Sequence, residues 1–163
     1  MVDFYWQMVI ILIKDVICMN AMEKYDYWLE AATYDLESAR VMMDGGRYMY
    51  VAFMCQQSIE KLTKGIYTLY TDQEAPRIHN IWNIFKQIIN SQTDDLALIE
   101  GFEESLQKHK NFFAELLSFY ISGRYPSFKE KVSSSINYDR AKNVLDTTEE
   151  VFKWIESLSQ YKK

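Results

Sequence analysis

Apolar residues repeat every three or four positions along much of this chain, which is the spacing of one helix face. In the first clear stretch they stand in steps of four, three, four, three and four, at Tyr25, Leu29, Ala32, Leu36, Ala39 and Met43. Gly45 and Gly46 follow and are predicted to end this helix, since glycine adopts a left-handed cap without a Cβ clash. So short a connection predicts that the second helix returns antiparallel to the first.

The second predicted helix, residues 47–70, has the length and the apolar period of a central helix. Its apolar positions are Tyr48, Val51, Ala52, Cys55, Ile59, Leu62, Ile66 and Leu69. A polar loop that contains Pro76 comes next. A short third helix is then marked by Ile81, Ile84, Phe85 and Ile88, and it closes at Asn90 and Ser91.

Two more helices are predicted in the last third of the chain. Thr93 is the expected N-cap of the fourth helix, with Asp94 and Asp95 at its positive end. This helix should end at Ser122 and Gly123, and its inward residues are Ile99, Phe102, Leu106, His109, Phe113, Leu116 and Tyr120. The fifth helix should start near Asn137, with Tyr138, Ala141, Leu145, Thr148, Phe152, Ile155 and Leu158 facing inward. The chain therefore predicts an all-α, up-and-down bundle of about five helices.

The first 21 residues do not share this pattern, and we separate them as an N-terminal extension from a domain at 22–163. Asp3 precedes an apolar run at residues 8–13 that is only six residues long before Lys14 and Asp15. Such a run is too short to span a bilayer and has the wrong flanks for a secretion signal. Three interpretations stay open: a segment upstream of a true start at Met22, an extra packing helix, or, least favoured, a membrane anchor.

Composition narrows the possible functions. Only 5 Gly and 2 Pro favour long helices, and 12 Tyr suggest that some rings serve an interface as well as the core. A formal net charge of −5 excludes a general attraction to nucleic acid or anionic lipid, so phosphate contact requires a local basic patch. Cys18 and Cys55 give neither a disulfide framework nor metal-ligand spacing. We therefore expect a cytoplasmic protein without a metal or cofactor.

A polar group interrupts the apolar pattern in the middle of the second helix. It consists of Gln56, Gln57, Glu60, Lys61 and Lys64. Gln57 with Lys61, and Glu60 with Lys64, are i,i+4 pairs whose side chains can touch on one helix face. The group either lines a pocket for a phosphate or a nucleobase edge, or forms a hydrogen-bonded layer that fixes helix register.

A second polar group, Arg124 followed by Tyr125, stands at the end of the fourth helix. A guanidinium suits phosphate and a tyrosine ring can stack on a base, while Lys129 and Lys131 add local positive charge. The alternative is a helix-ending turn in which Arg124 pairs with Asp35 or Glu60.

We expect the two polar groups to face one shared hollow. The candidate nucleotide- or RNA-binding residues are Gln57, Glu60, Lys61, Lys64, Arg124 and Tyr125. His79 is interpreted as a helix cap or packing residue, and His109 as a core or interface histidine.

Several segments together resemble the small prokaryotic HEPN-domain proteins. They are Asp35 and Leu36 with Ala39, CQQSIEKLTK at 55–64, His79 with Asn80, SGRYP at 122–126, and VFKWI at 151–155. The resemblance covers the chain from about Met22 and implies an up-and-down helical bundle, often a homodimer. It also implies a frequent partnership with a separately encoded minimal nucleotidyltransferase, in two-gene modules likened to toxin–antitoxin pairs.

Many HEPN domains are metal-independent endoribonucleases whose shared motif is an Arg, four to six residues, and then a His. After Arg124 the corresponding positions hold Lys129, Glu130 and Lys131. Imidazole is the side chain suited to proton transfer near neutral pH, so catalytic residues are not assigned. The resemblance thus favours a nucleotide- or RNA-associated subunit with a nucleotidyltransferase partner. A HEPN-type endoribonuclease and a non-catalytic dimerisation module are the alternatives.

Overall fold

Five α-helices make up most of the described chain, as predicted. The computed structural model describes residues 19–91, 96, 98–124 and 136–162, and of residues 122–124 the backbone alone. The helices are α1 (Ala21–Asp44), α2 (Tyr48–Thr71), α3 (Ile81–Asn90), α4 (Phe102–Arg124) and α5 (Tyr138–Ser157). A short 3₁₀ helix, Leu158–Tyr161, follows α5. Within these ranges there is no β-strand, and the prediction of an all-α bundle is confirmed.

Asparagine side chains begin three of the helices. Asn20 and Glu23 form a reciprocal capping box on α1, with Glu23 N to Asn20 Oδ1 at 3.0 Å and Asn20 N to Glu23 Oε2 at 2.8 Å. Asn80 caps α3 and Asn137 caps α5 by accepting from the backbone N–H three residues on. Asn80, rather than His79, is therefore the cap of α3.

The predicted α1–α2 hairpin is present, and its turn depends on Gly46. This residue has φ of +67°, while Gly45 keeps a right-handed conformation. The inward stripe of α1 contacts α2, with Ala32 and Ala39 fully buried. The short link and the apolar stripe together align the two longest helices side by side.

α2 is the central helix and is buried on nearly every side. It packs against α1, α3, α4 and α5. Its fully buried apolar residues include Val51, Ala52, Cys55, Ile59, Leu62 and Ile66. Burial raises the pKa of the Cys55 thiol to about 12, so this cysteine stays protonated and packs as a small apolar side chain.

The predicted start of α4 was wrong. The helix begins at Phe102 because Gly101, with φ of +75°, interrupts the helical conformation directly before it. Ile99 still packs against the core, but from a turn. Thr93, Asp94 and Asp95 lie outside the described residues. At its other end α4 continues one residue past the predicted stop, to Arg124.

Aromatic rings fill the end of the core between α3, α4 and α5. Phe85, Phe102, Phe113 and Trp154 lie with ring centroids 5.8–6.2 Å apart. His109 is buried beside them, 5.3 Å from the Trp154 ring, as expected for a core histidine. Burial, with Lys108 nearby, lowers the pKa of His109.

Tyr138 was predicted to face inward and does not. As the first residue of α5 it lies at the end of the bundle, where it is about half exposed and meets the edge of the Tyr48 ring. No described helix is long and apolar enough to cross a membrane. Residues 1–18, on which the N-terminal alternatives rest, lie outside the described part.

Gly65 permits the close contact between α1 and α2, and replacing it tests that contact. A Cβ at Gly65 would lie 3.0 Å from Trp28 Cβ and 3.2 Å from Tyr25 Cδ2. Alanine favours a helix interior by about 1 kcal/mol, but overpacking typically costs about 1–3 kcal/mol. We expect the overpacking to exceed the helix-propensity gain, so Gly65→Ala should lower the free energy of unfolding in urea, by up to about 2 kcal/mol.

Gly45→Ala is the matched control for this prediction. Gly45 has φ of −79°, and a Cβ there would meet only Val41 O at 3.4 Å and Met42 O at 3.7 Å. Its unfolding free energy should stay within about 0.5 kcal/mol of that of the unmodified chain. Equal effects of the two substitutions would contradict the proposed close contact.

Candidate functional site

Glu60 is the centre of a buried hydrogen-bonded network on α2. Its Oε1 accepts from Lys64 Nζ at 2.7 Å, and its Oε2 accepts from Gln56 Nε2 at 2.6 Å. Gln57 Nε2 in turn donates to Gln56 Oε1 at 2.5 Å. Gln56, Glu60 and Lys64 are all buried. The predicted contact between Glu60 and Lys64 is therefore made, and the Lys64 ammonium also lies 5.8 Å from the Trp28 ring centroid.

His79 joins this network from the loop that precedes α3. Its Nδ1 lies 3.1 Å from Glu60 Oε1 and 3.2 Å from Glu60 Oε2. An ionised carboxylate only accepts hydrogen bonds, so with Glu60 ionised beside Lys64 the donor in this contact is Nδ1–H. The His79 side chain is 42% exposed, whereas the Glu60 side chain is buried. The imidazole therefore links a buried carboxylate to the protein surface. We call Gln56, Gln57, Glu60, Lys64 and His79 the Glu60 network.

Tyr120 of α4 packs against this half-exposed histidine. The two rings stack with centroids 4.3 Å apart and planes 24° apart. Phe53 of α2 stacks with the Tyr120 ring as well, at 6.4 Å and 10°. Aromatic contacts of this kind restrict the orientation of the imidazole plane. α2, the loop before α3, and α4 thus all contribute to the surroundings of His79.

The last turn of α4 lies next to this site. Arg124 follows Tyr120 by four residues, so its backbone comes one helical turn after the ring that stacks on His79. The side chain of Arg124 and the whole of Tyr125 lie outside the described residues. Their predicted convergence with the polar group of α2 stays a prediction.

Lys61 makes a different contact from the one its spacing suggested. Its Nζ lies 2.6 Å from Oδ2 of Asp35 on α1, whereas the side-chain amide of Gln57 donates its hydrogen bond to the Gln56 side chain. A buried carboxylate attracts an ammonium more strongly than a neutral amide does, which explains why Asp35 is the partner. The ion pair joins α1 to α2 outside the Glu60 network. Asp35 was one of the two carboxylates considered as a partner for Arg124.

His79 was the residue whose contribution sequence reasoning missed. It had been interpreted as a cap or packing residue, and it does pack on Tyr120, but its Nδ1 also pairs with a carboxylate 19 residues earlier. Its place directly before the N-cap Asn80 was the only available signal. Across the described ranges, no three His, Cys, Asp or Glu side chains come together in a way that could hold a metal ion.

The Glu60–Lys64 ion pair can be tested with a double-mutant cycle. Removing one partner of a buried pair leaves the other charge uncompensated, so Glu60→Gln and Lys64→Met should each destabilise the protein by about 3 kcal/mol. The double variant should lose less than the sum of the two losses, with a coupling energy of about 1.5–3 kcal/mol in urea unfolding.

Lys142 and Asp146 on α5 provide the control pair. They have the same i,i+4 spacing, with Lys142 Nζ 2.5 Å from Asp146 Oδ1, but both side chains are exposed. Lys142→Met and Asp146→Asn should show little coupling, because solvent screens an exposed ion pair. A coupling at Glu60 and Lys64 as small as that at the control pair would contradict a buried network.

Comparison with known proteins places this chain in a family. The sequence model of the HEPN domain matches residues 25–158. The fold is similar to the crystal structure of TT1696 from Thermus thermophilus, with a TM-score of 0.64 and 18% identity. It is also similar to ST0689, an archaeal HEPN homologue, with a TM-score of 0.61 and 21% identity. Each alignment covers 83% of this chain and 98% of the other. No curated protein matches the chain. This protein belongs to the HEPN domain family.

Proposed function

We propose that this protein is a HEPN subunit that binds nucleotide or RNA beside the Glu60 network. Its partner in this proposal is a separately encoded minimal nucleotidyltransferase, in a toxin–antitoxin-like module. The observation that supports the proposal is the pairing of the buried Glu60 carboxylate with the half-exposed His79 imidazole. A bundle core can be closed with apolar residues alone, so a charged network that reaches the surface favours a binding role.

The proposed site presents groups that suit a nucleotide. His79 supplies an imidazole whose plane Tyr120 restricts, and Gln57 supplies an amide. Arg124 and Tyr125 would add a guanidinium for phosphate and a ring for a base. Because the protein carries a net charge of −5, a phosphate needs such a local donor set. The proposed site leaves out Lys61, whose ammonium is held by Asp35.

The working form in this proposal is a cytoplasmic homodimer. Dimerisation is common among HEPN domains, and the exposed face of the long helix α4 offers a surface for it. We assign it to the cytoplasm because the free, buried thiol of Cys55 suits a reducing compartment.

The pairing of His79 with Glu60 also favours metal-independent RNA cleavage as a second candidate. A carboxylate that holds Nδ1–H leaves Nε2 as the proton acceptor, which is how a general base is oriented. In such a step Nε2 takes the proton of a ribose 2′-hydroxyl as its oxygen attacks the adjacent phosphorus. The 5′-oxygen then leaves and takes a proton from water, giving a 2′,3′-cyclic phosphate and a 5′-hydroxyl end, and the protonated His79 returns its proton to the solvent. His79 would take the place of the motif histidine that is absent at 129–131.

Recovery from native lysate tests the first candidate. The tagged chain should retain a nucleotidyltransferase and bound nucleic acid, both identified by mass spectrometry and by nuclease-sensitive absorbance. Arg124→Ala should lose the nucleic acid, since it removes the proposed phosphate ligand. Arg140→Ala is the matched control, because Arg140 lies on a different helix, α5, and pairs with Glu115. This variant should retain both the nucleotidyltransferase and the nucleic acid.

Incubating these two variants and His79→Gln with structured RNA decides between the candidates. Cleavage that His79→Gln and Arg124→Ala abolish, and Arg140→Ala leaves intact, would favour the ribonuclease. Absence of nucleotidyltransferase, nucleic acid and cleavage would contradict both and leave the non-catalytic dimerisation module.

A further inference from the structure

α1 carries a second apolar stripe on its outer side, opposite the one that faces the core. Tyr27, Ala31, Tyr34, Ser38 and Val41 follow one another in steps of four, three, four and three, and Ser38 is the one polar member of this set. Tyr27 is 61% exposed, Tyr34 71% and Val41 67%. A helix with a single buried face needs only one such stripe, so this outer stripe indicates an interaction surface.

The outer stripe contains a hollow with the geometry of a helix–helix contact. The hollow measures about 260 Å³ and is lined by Tyr27, Glu30, Ala31, Tyr34 and Asp35 of α1 and by Lys61 of α2. The first four of these positions are i, i+3, i+4 and i+7, the four that surround a side chain inserted from a facing helix in a coiled coil. Ala31 has the smallest side chain of these four, and the Lys61–Asp35 ion pair also lines the hollow. The hollow can therefore receive a side chain from another helix.

The charges beside the stripe limit which helix can fit. Asp26, Glu30 and Glu37 are exposed along one edge and make no ion pair within the described part of the chain. On the opposite edge lie Lys24, paired with Glu74, and Lys61, paired with Asp35. One edge is thus uncompensated and acidic, and the ammoniums of the other already have partners.

A second copy of this chain fits these charges poorly. If two α1 helices paired antiparallel about a two-fold axis, the acidic edges would face each other. If they paired in parallel, the acidic edge would meet lysines that already have carboxylate partners. We propose instead that the outer stripe binds an amphipathic helix of another protein, with apolar residues at steps of three and four and Lys or Arg along one edge. This inference does not depend on the nucleotide or RNA site.

Two labelled peptides test this docking surface on the full-length chain. Both are designed helices of about 21 residues, long enough to cover the stripe, with Leu at steps of three and four. One carries Lys along one edge and the other carries Glu at the same positions. Fluorescence anisotropy should show the Lys peptide binding at least about tenfold more tightly than the Glu peptide, because only lysines compensate Asp26, Glu30 and Glu37.

Substitutions on and off the stripe make the test specific. Tyr34→Ala should weaken binding of the Lys peptide about tenfold or more, since it removes an aromatic ring that lines the hollow. Tyr50→Ala removes an exposed tyrosine of α2 that is not part of the stripe, and should leave binding unchanged. Circular dichroism establishes that both variants are folded.

Three results would overturn the proposal. They are equal binding of the Lys and Glu peptides, equal effects of Tyr34→Ala and Tyr50→Ala, or a dimer in sedimentation velocity that Tyr34→Ala dissociates. The last would assign the stripe to a second copy of the chain. None of these results bears on nucleic-acid recovery or RNA cleavage, so this proposal and the proposed function fail independently.

Discussion

The bundle has to accommodate an ionised carboxylate in the middle of its most buried helix. A charge at that depth is costly unless it is paired and hydrogen-bonded. Glu60 obtains one donor from each neighbouring turn of α2, Gln56 and Lys64, and a third from His79 in the loop before α3. Only the last of these lies outside α2, so satisfying Glu60 ties the loop to the helix.

This requirement connects the packing of the bundle to its proposed chemistry. The loop before α3 is fixed where the His79 ring stacks on Tyr120, which joins α4 to the same place. On the other side of α2, the Lys61–Asp35 ion pair and the close approach at Gly65 hold α1. The inner face of α1 is therefore buried against the bundle, and its outer stripe is exposed to solvent. Binding at His79 and docking on α1 would occupy different surfaces of one framework.

The local pattern of the sequence was sufficient to predict the helices, but not the contacts between residues far apart in the chain. Apolar spacing and turn residues predicted the helices and the α1–α2 hairpin, and i,i+4 spacing predicted Glu60 with Lys64. The pairing of Glu60 with His79 depends on the path of a loop, which no local pattern encodes. The spacing within α2 indicated Gln57 as the partner of Lys61 and could not show that Asp35 of α1 lies within reach. Gly101, with its positive φ, moved the start of α4 to a later residue than the apolar pattern predicted. The convergence of Arg124 and Tyr125 on this site is still a prediction.

The proton position on His79 tests the central claim most directly. If Glu60 accepts from Nδ1, the neutral ring must carry its proton on Nδ1, whereas a free histidine prefers Nε2–H. Long-range ¹H–¹⁵N NMR spectra, recorded at a pH where His79 is neutral and assigned with His79→Gln, distinguish the two tautomers. The account predicts a protonated Nδ1 and a bare Nε2, and Glu60→Gln should weaken that preference. An Nε2–H tautomer in the unmodified chain would contradict the account.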